Sequence, residues 1–410
     1  MKNDTLMTQA LLPKLVVWTL IILFVGSAVG SSSALFLWLL DVVTEARTNY
    51  GVLIFFLPLG GLIIGIVYHF FANGVEKETN LLIDEMVEPH RRIHWKLAPL
   101  VVVGTLLTHL FGGSAGREGT AVQMGGAIAD WIGGLFKTIQ LNRKIILRMG
   151  AAAGFAGVFG TPLAGAVFAV ELDRARAFNL IGLLPIVLVS FLSDLSCQVW
   201  GVSHTGYTIS EVPIFTLQHI GSVLFLGGIF GGVAGLFSWG KKYLTEGVQQ
   251  LLPNSIVRLS LGGLLLAVVF VTLNLEAYSG LGIPIIQDAF TEASHGGVFA
   301  VKFLFTLFTL AVGFKGGEAT PLFFIGATLG STLAIYFGLP LSFVAGLGFI
   351  AVFAGATNTP LACAIMGVEM FGPTGGLWYL LVCVVAFYTS GRTTVYSAQR
   401  VHVLKYDFRK

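Results

Sequence analysis

Hydrophobic positions come in long blocks rather than in alternation. Apolar runs fall near 15–40, 52–71, 97–111, 120–136, 145–171, 179–193, 217–237, 259–274, 299–313, 321–338, 340–356 and 360–388. A straight membrane-spanning helix needs about 20 apolar residues. Several of these runs are shorter, or are cut by Gly and Pro. The pattern predicts an all-α membrane protein built from tilted, broken and re-entrant helices. Irregular backbone at membrane depth survives only where it is buried in protein or lines a cavity, so a transporter or channel is expected rather than a bundle of uniform spans. The first run, 15–40, is too long for a cleaved signal and lacks a clear small-residue cleavage site. The chain stops at VLKYDFRK, so no soluble appendage is expected.

The pattern also repeats. At an offset of about 200, Gly113, Gly116, Glu118, Thr120, Gly126 and Ala127 match Gly313, Gly316, Glu318, Thr320, Gly326 and Ala327. TPLAGAVFAVE (161–171) returns as TPLACAIMGVE (359–369), and Gly26, Gly30, Leu35, Phe36, Thr44 and Glu45 return as Gly227, Gly231, Leu236, Phe237, Thr245 and Glu246. Three matches in the same order at nearly one offset predict two homologous halves, 1–208 and 209–410, divided near VSHTGYTISEVP (202–213). Internal repeats of this kind are typical of secondary transporters, whose site lies at the repeat interface.

Several helix starts fall inside this apolar frame. Thr120 with Gln123 three residues on forms a capping-box pattern. Thr320-Pro321, Thr161-Pro162 and Thr359-Pro360 each place a Thr N-cap before Pro. Thr79-Asn80 opens another start, with Asp84 and Glu85 following. A helix N-terminus carries unpaired N–H groups and about half a positive charge, which favours an anion. Several such ends at membrane depth would make an anion site without a full cation. Glu118, in GGSAGREGTAVQ, then reads as a resident anion that holds the place of a transported one. Protonating it would vacate the site, making one side chain both gate and proton carrier. The plainer alternative pairs it with Arg117.

Composition narrows the function classes. The chain has 410 residues, 55% of them hydrophobic and 11% charged, where a soluble domain carries about 25% charged residues. Mean hydropathy is +0.84. The 52 glycines suit close helix packing in lipid. A net charge of +3, scattered along the chain, gives no basic patch for nucleic acid. Cys197, Cys363 and Cys383 form neither a disulfide framework nor a metal spacing, and no bound cofactor is expected. Residues 112–116 formally satisfy the G-x-S-x-G nucleophile pattern around Ser114. That pattern requires a strand–turn–helix context and His and acid partners, so an intramembrane serine hydrolase is a remote alternative and no enzymatic activity is expected.

These motifs resemble the CLC family of chloride channels and anion/proton antiporters. GREG (116–119) is similar to the family's GREGP loop, whose glutamate is the external gate. GGEATPLF (316–323) sits where the family has GxFxP, TNLLIDE (79–85) where it has GSGIPE, and Tyr396 fits the pore-lining tyrosine. The resemblance covers nearly the whole chain and implies a homodimer of inverted-repeat subunits, each with its own anion pathway.

The departures from the family pattern are GREGT for GREGP, Thr79-Asn80 at the serine site, and Glu318 in the third loop. They resemble the family's fluoride-specific bacterial branch, which exports fluoride against proton entry across the inner membrane. Fluoride is small and strongly hydrated, so stripping its water demands strong donors. On this resemblance Glu118 is the gate and proton acceptor. Thr320, Tyr396 and Phe324 line the central site, Asn80, Thr79 and Phe323 lie close by, and Glu318 takes part in anion/proton coupling. The region resembling the family's inner proton glutamate, VWGVSHTGY (199–207), has no glutamate, and His204 is the candidate there. Glu171 and Glu369 are expected to be structural and paired with basic groups such as Arg174. A chloride/proton exchanger or a passive anion channel on the same scaffold stays open.

Overall fold

The computed structural model describes residues 2–75, 79–136, 142–172, 180–399 and 405. Among the described residues every regular element is helical, with one isolated antiparallel bridge, Gly116–Gly317. The first eight helices are α1 (Lys2–Asn49), α2 (Leu57–Phe71), α3 (Thr79–Val87), α4 (Leu97–Leu110), α5 (Glu118–Leu135), α6 (Arg143–Phe159), α7 (Pro162–Glu171) and α8 (Leu180–Val199). After the helix-free stretch 200–216 the series runs again. It comprises α9 (Leu217–Leu251), α10 (Ser255–Thr272), α11 (Ile283–Asp288), α12 (Val298–Val312), α13 (Ala319–Phe337), α14 (Leu341–Thr357), α15 (Pro360–Phe371) and α16 (Gly376–Thr389).

Six helices among the described residues are long and apolar enough to cross a membrane, and several apolar helices of 10–17 residues are not. The long run 145–171 is broken into α6 and α7 at Gly160, which ends α6 in a left-handed conformation (φ 69°) before Thr161-Pro162. The matching break between α14 and α15 uses Asn358 at φ 58° before Thr359-Pro360. Both Thr-Pro starts fall where the sequence places them. With 10 and 12 residues, α7 and α15 extend only about 15 and 18 Å, roughly half the hydrocarbon thickness. Their first turns must therefore end inside the protein.

What receives those buried N-termini is the other half of the chain. Glu171, the last residue of α7, accepts hydrogen bonds from the Leu361 and Ala362 N–H groups in the first turn of α15, at 3.2 and 2.8 Å. Glu369, in the last turn of α15, accepts from the Leu163 and Ala164 N–H groups of α7, both at 2.9 Å. The two short helices therefore lie antiparallel, each capping the other, and this reciprocity reveals the inverted relation of the halves. Glu171 and Glu369 are structural, as the sequence suggests. These bonds run to helix N-termini, and Arg174 lies outside the described residues.

Close helix approach is supplied by paired glycines. A Cβ on Gly125 of α5 would stand 2.2 Å from the Gly150 carbonyl oxygen of α6, and one on Gly150 would stand 2.3 Å from that of Gly125. The second half repeats the contact: Gly326 of α13 against Gly348 of α14, at 2.1 and 2.0 Å. Between the halves, α2 crosses α10 with Gly61 on the Leu259 carbonyl and Gly263 on the Leu57 carbonyl. The α14 helix is buried from Ser342 to Thr357, which explains why its sequence is apolar all round. These crossings fix the inner ends of α5 and α13 from behind.

Replacing Gly348 by Ala is expected to force the α13–α14 crossing apart at a cost of about 1–3 kcal/mol, the usual scale for overpacking. Gly228 has open space around its Cβ position, so its replacement by Ala should leave stability unchanged or slightly raised. Thermal unfolding of the detergent-solubilised variants checks the contrast.

Candidate functional site

Helix α5 starts at Glu118 with Arg117 as N-cap, and α13 starts at Ala319 with Glu318 as N-cap. The loops before them meet through the Gly116–Gly317 bridge: Gly116 N–H donates to the Gly317 carbonyl at 2.7 Å, and Gly317 N–H to the Gly116 carbonyl at 2.8 Å. Side chains are excluded at this contact, since a Cβ on Gly317 would lie 2.7 Å from the Gly119 nitrogen. Gly316, at φ 150°, passes within 2.6 Å of the Ala115 Cβ by the same measure.

Glu118 is 2% exposed. Its side chain reaches across the bridge to the other helix. Oε2 accepts from the Thr320 N–H at 3.1 Å, Oε1 accepts from the Thr320 hydroxyl, and the Arg117 N–H donates to Oε2 at 3.1 Å. The Arg117 Nε stands 4.0 Å from Oε1. The first residue of α5 thus sits as an anion on the first turn of α13, where unpaired N–H groups and the helix dipole favour negative charge.

Two of the expected helix caps are corrected. Thr120 lies in the first turn of α5 rather than before it, and its hydroxyl pairs with that of Thr105 at 2.6 Å. Gln123 donates to the Thr79 hydroxyl at 2.6 Å, so the capping box does not form. Thr320 and Pro321 likewise lie within α13, which frees the Thr320 hydroxyl for Glu118. Thr79 and Asn80 do open α3. Glu85 is turned away from that start, accepting from the His90 and Arg91 N–H groups and from Arg143, which also binds Asp130.

The register of the two halves at this point is corrected as well. Bridge partners Gly116 and Gly317, and N-caps Arg117 and Glu318, are the structural equivalents. Glu318 therefore stands where Arg117 stands, and Ala319 where Glu118 stands. The two glutamates do not occupy one repeated place.

Around Glu118 the other expected residues divide. Thr320 and Phe323 line a cavity of about 20 Å³ with Arg117, Phe159, His204 and Tyr207, room for about one water. Phe323 stacks on Phe349 at 4.1 Å. Phe324 does not line this cavity: it is fully buried, close to Gly282 and 5.2 Å from the Lys302 ammonium. Tyr396 is buried, and both Glu118 and Glu318 act electrostatically on its hydroxyl. Asn80 accepts from the Ala398 N–H at 3.0 Å, tying α3 to the segment that carries Tyr396. That contact borders a wider cavity of about 310 Å³ lined by Asp84, Glu88, His90 and Arg91.

His204 is expected to serve an inner proton route. It lines the small cavity beside Thr320 and Arg117. Ser114 is fully buried between helices, its hydroxyl 3.0 Å from that of Thr306, while the His109 ring faces the Gly116 carbonyl. A helix–loop–helix stands where a nucleophile elbow needs strand–turn–helix.

The family described as voltage gated chloride channel matches residues 60–391 of this sequence. The chain belongs to that family. The chloride/fluoride channel protein of Pseudomonas syringae pv. tomato is 42% identical over 397 residues, covering 95% of this chain and 88% of that protein. Among solved structures, a CLC-type fluoride/proton antiporter superposes with a TM-score of 0.91 at 34% identity, over 94% of this chain and 98% of that one. A slow cyanobacterial Cl⁻/H⁺ antiporter superposes at 0.81 with 21% identity, over 92% of this chain and 95% of that one, and shows the shared fold.

For this CLC-family chain, sequence reasoning missed Lys241. From the middle of α9 its ammonium binds the Glu318 carboxylate and donates to the Val395 carbonyl at 3.0 Å, next to Tyr396. A charge in an apolar helix gives a signal, but Lys241 is followed directly by Lys242 and its partner is distant in sequence. Replacing Lys241 by Met strands Glu318. Because the two side chains keep 23% and 11% exposure, the expected cost is about 1–3 kcal/mol, less than for a fully buried pair. The double variant Lys241→Met/Glu318→Gln should regain most of that loss, read as thermal stability in detergent.

Proposed function

We propose that the protein is a fluoride/proton antiporter that exports fluoride at the expense of the inward proton gradient. It would work as a homodimer in the bacterial inner membrane, with the repeats 1–208 and 209–410 forming one transport domain. The observation that carries the reading is the Glu118 carboxylate seated on the α13 N-terminus, bound by the Thr320 N–H and hydroxyl. A carboxylate in that cradle stands in for a small anion. Protonation removes its charge, loosens its hold on the helix end, and lets a free anion take the same donors. Gate opening and proton uptake are then one event.

Fluoride suits the cradle for physical reasons. It is close to water in size, and the adjoining cavity has room for about one water. Its hydration is replaced only by strong donors, which Thr320, Tyr396, Asn80 and helix N–H groups provide, with the ring edges of Phe323 as weakly positive neighbours. Glu318, held by Lys241, would bias the anion and proton steps toward each other through the shared Tyr396 hydroxyl. The likeness to the solved fluoride/proton antiporter and to the Pseudomonas chloride/fluoride channel protein supports the same substrate class.

Proteoliposomes loaded with fluoride or with chloride, followed by anion-selective and pH electrodes, test this reading. Fluoride efflux should exceed chloride efflux by about tenfold or more, about 1.4 kcal/mol of discrimination, and should drive proton uptake. Replacing Glu118 by Gln should abolish that proton movement. Equal efflux of the two anions would overturn the fluoride assignment, and coupled exchange surviving in the Gln variant would overturn the gate.

A further inference from the structure

Four buried polar atoms in this region make no hydrogen bond: the Arg117 Nε, both ring nitrogens of His204, and Oδ1 of Asp194, of which the His204 Nε2 and Asp194 Oδ1 face each other as an ion pair. Buried polar groups in folded proteins are almost always satisfied, so their concentration here calls for an explanation. Arg117 and His204 line the cavity of about 20 Å³, which Thr320 also lines. The His204 Nε2 lies 3.4 Å from Asp194 Oδ1, and the other Asp194 oxygen accepts from Gln198 at 2.8 Å. The ring packs over Gly160, where a Cβ would come within 2.4 Å of it. Its chain neighbours Ser203 and Gly206 are exposed, while Glu118 is 2% exposed. The imidazole, 17% exposed, therefore lies between this exposed stretch and the cavity lined by Thr320, which holds Glu118.

We propose that Asp194 and His204 form a proton-delivery site for Glu118. The imidazolium N–H gives its proton to a water in the cavity. That water passes a proton to the Thr320 hydroxyl oxygen, and the hydroxyl delivers its own proton to Glu118 Oε1, which it already touches. Water and hydroxyl end as they began, Glu118 is neutral, and the neutral imidazole regains a proton from solvent past Ser203 and Gly206. Asp194 stabilises the imidazolium between turnovers. Imidazole is suited to the task because its charge changes between about pH 5 and 8.

Among the described residues the charged and titratable groups around His204 come from several elements, with Cys197 of α8 within electrostatic reach of Asp194 and Asp41 of α1 sharing a pocket with Ser203. Asp194 comes from α8, Arg117 from the N-cap of α5, and Tyr207 from its own segment. Glu369 on α15 lies within electrostatic reach of Asp194. Asp194 is the acid in contact with the ring, so the proposal makes the pH profile of transport the property that its removal changes.

The inference rests on the proposed exchange of fluoride for protons. Fluoride-driven proton uptake into proteoliposomes, measured between pH 5 and 8, tests it with His204→Gln and Asp194→Asn. The His204→Gln protein should take up protons about tenfold more slowly near neutral pH, the lower range of general acid–base contributions. Added imidazole or a more acid bath should restore its rate. Asp194→Asn should keep the maximal rate with a changed pH profile, which tests the site even if the histidine variant fails to fold. A wild-type rate and profile in both variants, or a loss in His204→Gln that neither imidazole nor acid relieves, would overturn the relay. Absence of coupled uptake in the wild-type protein would instead overturn the exchange reading itself.

Discussion

The head-to-head approach of the α5 and α13 N-termini across the Gly116–Gly317 bridge is the constraint on which the structure turns. Each end carries partial positive charge, and the two repel unless an anion lies between them. Glu118 supplies that anion from α5 and gives it to Thr320 of α13. The paired glycines of α5 with α6 and of α13 with α14 let backbones approach to carbonyl contact and pin both helices from behind. Packing thus forces the helix ends together, and the carboxylate makes the arrangement tolerable. On the proposed reading, the group that stabilises this arrangement is for the same reason the group that leaves when an anion passes.

The same device appears a second time in a permanent form. In α7 and α15 each N-terminus is satisfied by a glutamate from the end of the other helix. Those carboxylates bind two consecutive N–H groups each and lie at a crossing of rigid helices, so they serve as fixed caps. Glu118 differs because its cradle adjoins a cavity and includes a hydroxyl that can exchange partners. Using helix ends rather than lysine or arginine keeps anion binding moderate. Conduction through a site requires that an ion enter readily and also leave, and partial charges meet both demands.

Much of this was legible in the sequence because it is local or periodic. The Thr161-Pro162 and Thr359-Pro360 starts, the glycine density, the repeat and the position of Glu118 beside a helix start all follow from short windows. What escaped is nonlocal. Thr120 and Gln123 match a capping box, yet one residue of slippage in the helix start hands their side chains to Thr105 and Thr79. Glu85 reads as a helix-start acid, yet Arg143 claims it from 58 positions away. Lys241, 77 positions from Glu318, carries no local sign of its partner. His204 gave a residue type without a place, since only the packing of 200–216 over Gly160 brings it to the cavity.

The repeat itself was legible, but its register at the site was not, and the difference bears on mechanism. With Gly116 opposite Gly317, the N-cap of α5 is the cation Arg117 and the N-cap of α13 is the anion Glu318. Their surroundings are reversed in the same sense. Arg117 acts on Asp41 of α1, whereas Glu318 is bound by Lys241 of α9, the helix that repeats α1. Each N-cap charge thus has a charge of opposite sign on a long helix, within electrostatic reach for Arg117 and in direct contact for Glu318. Glu118 is the one carboxylate added outside that balance, with Ala319 as its uncharged counterpart. Two symmetric halves would present an anion with two equal cradles. Reversing the caps and adding a single acid leaves one cradle occupied by a side chain, and on the proposed reading that occupancy gives the scaffold an asymmetric gate.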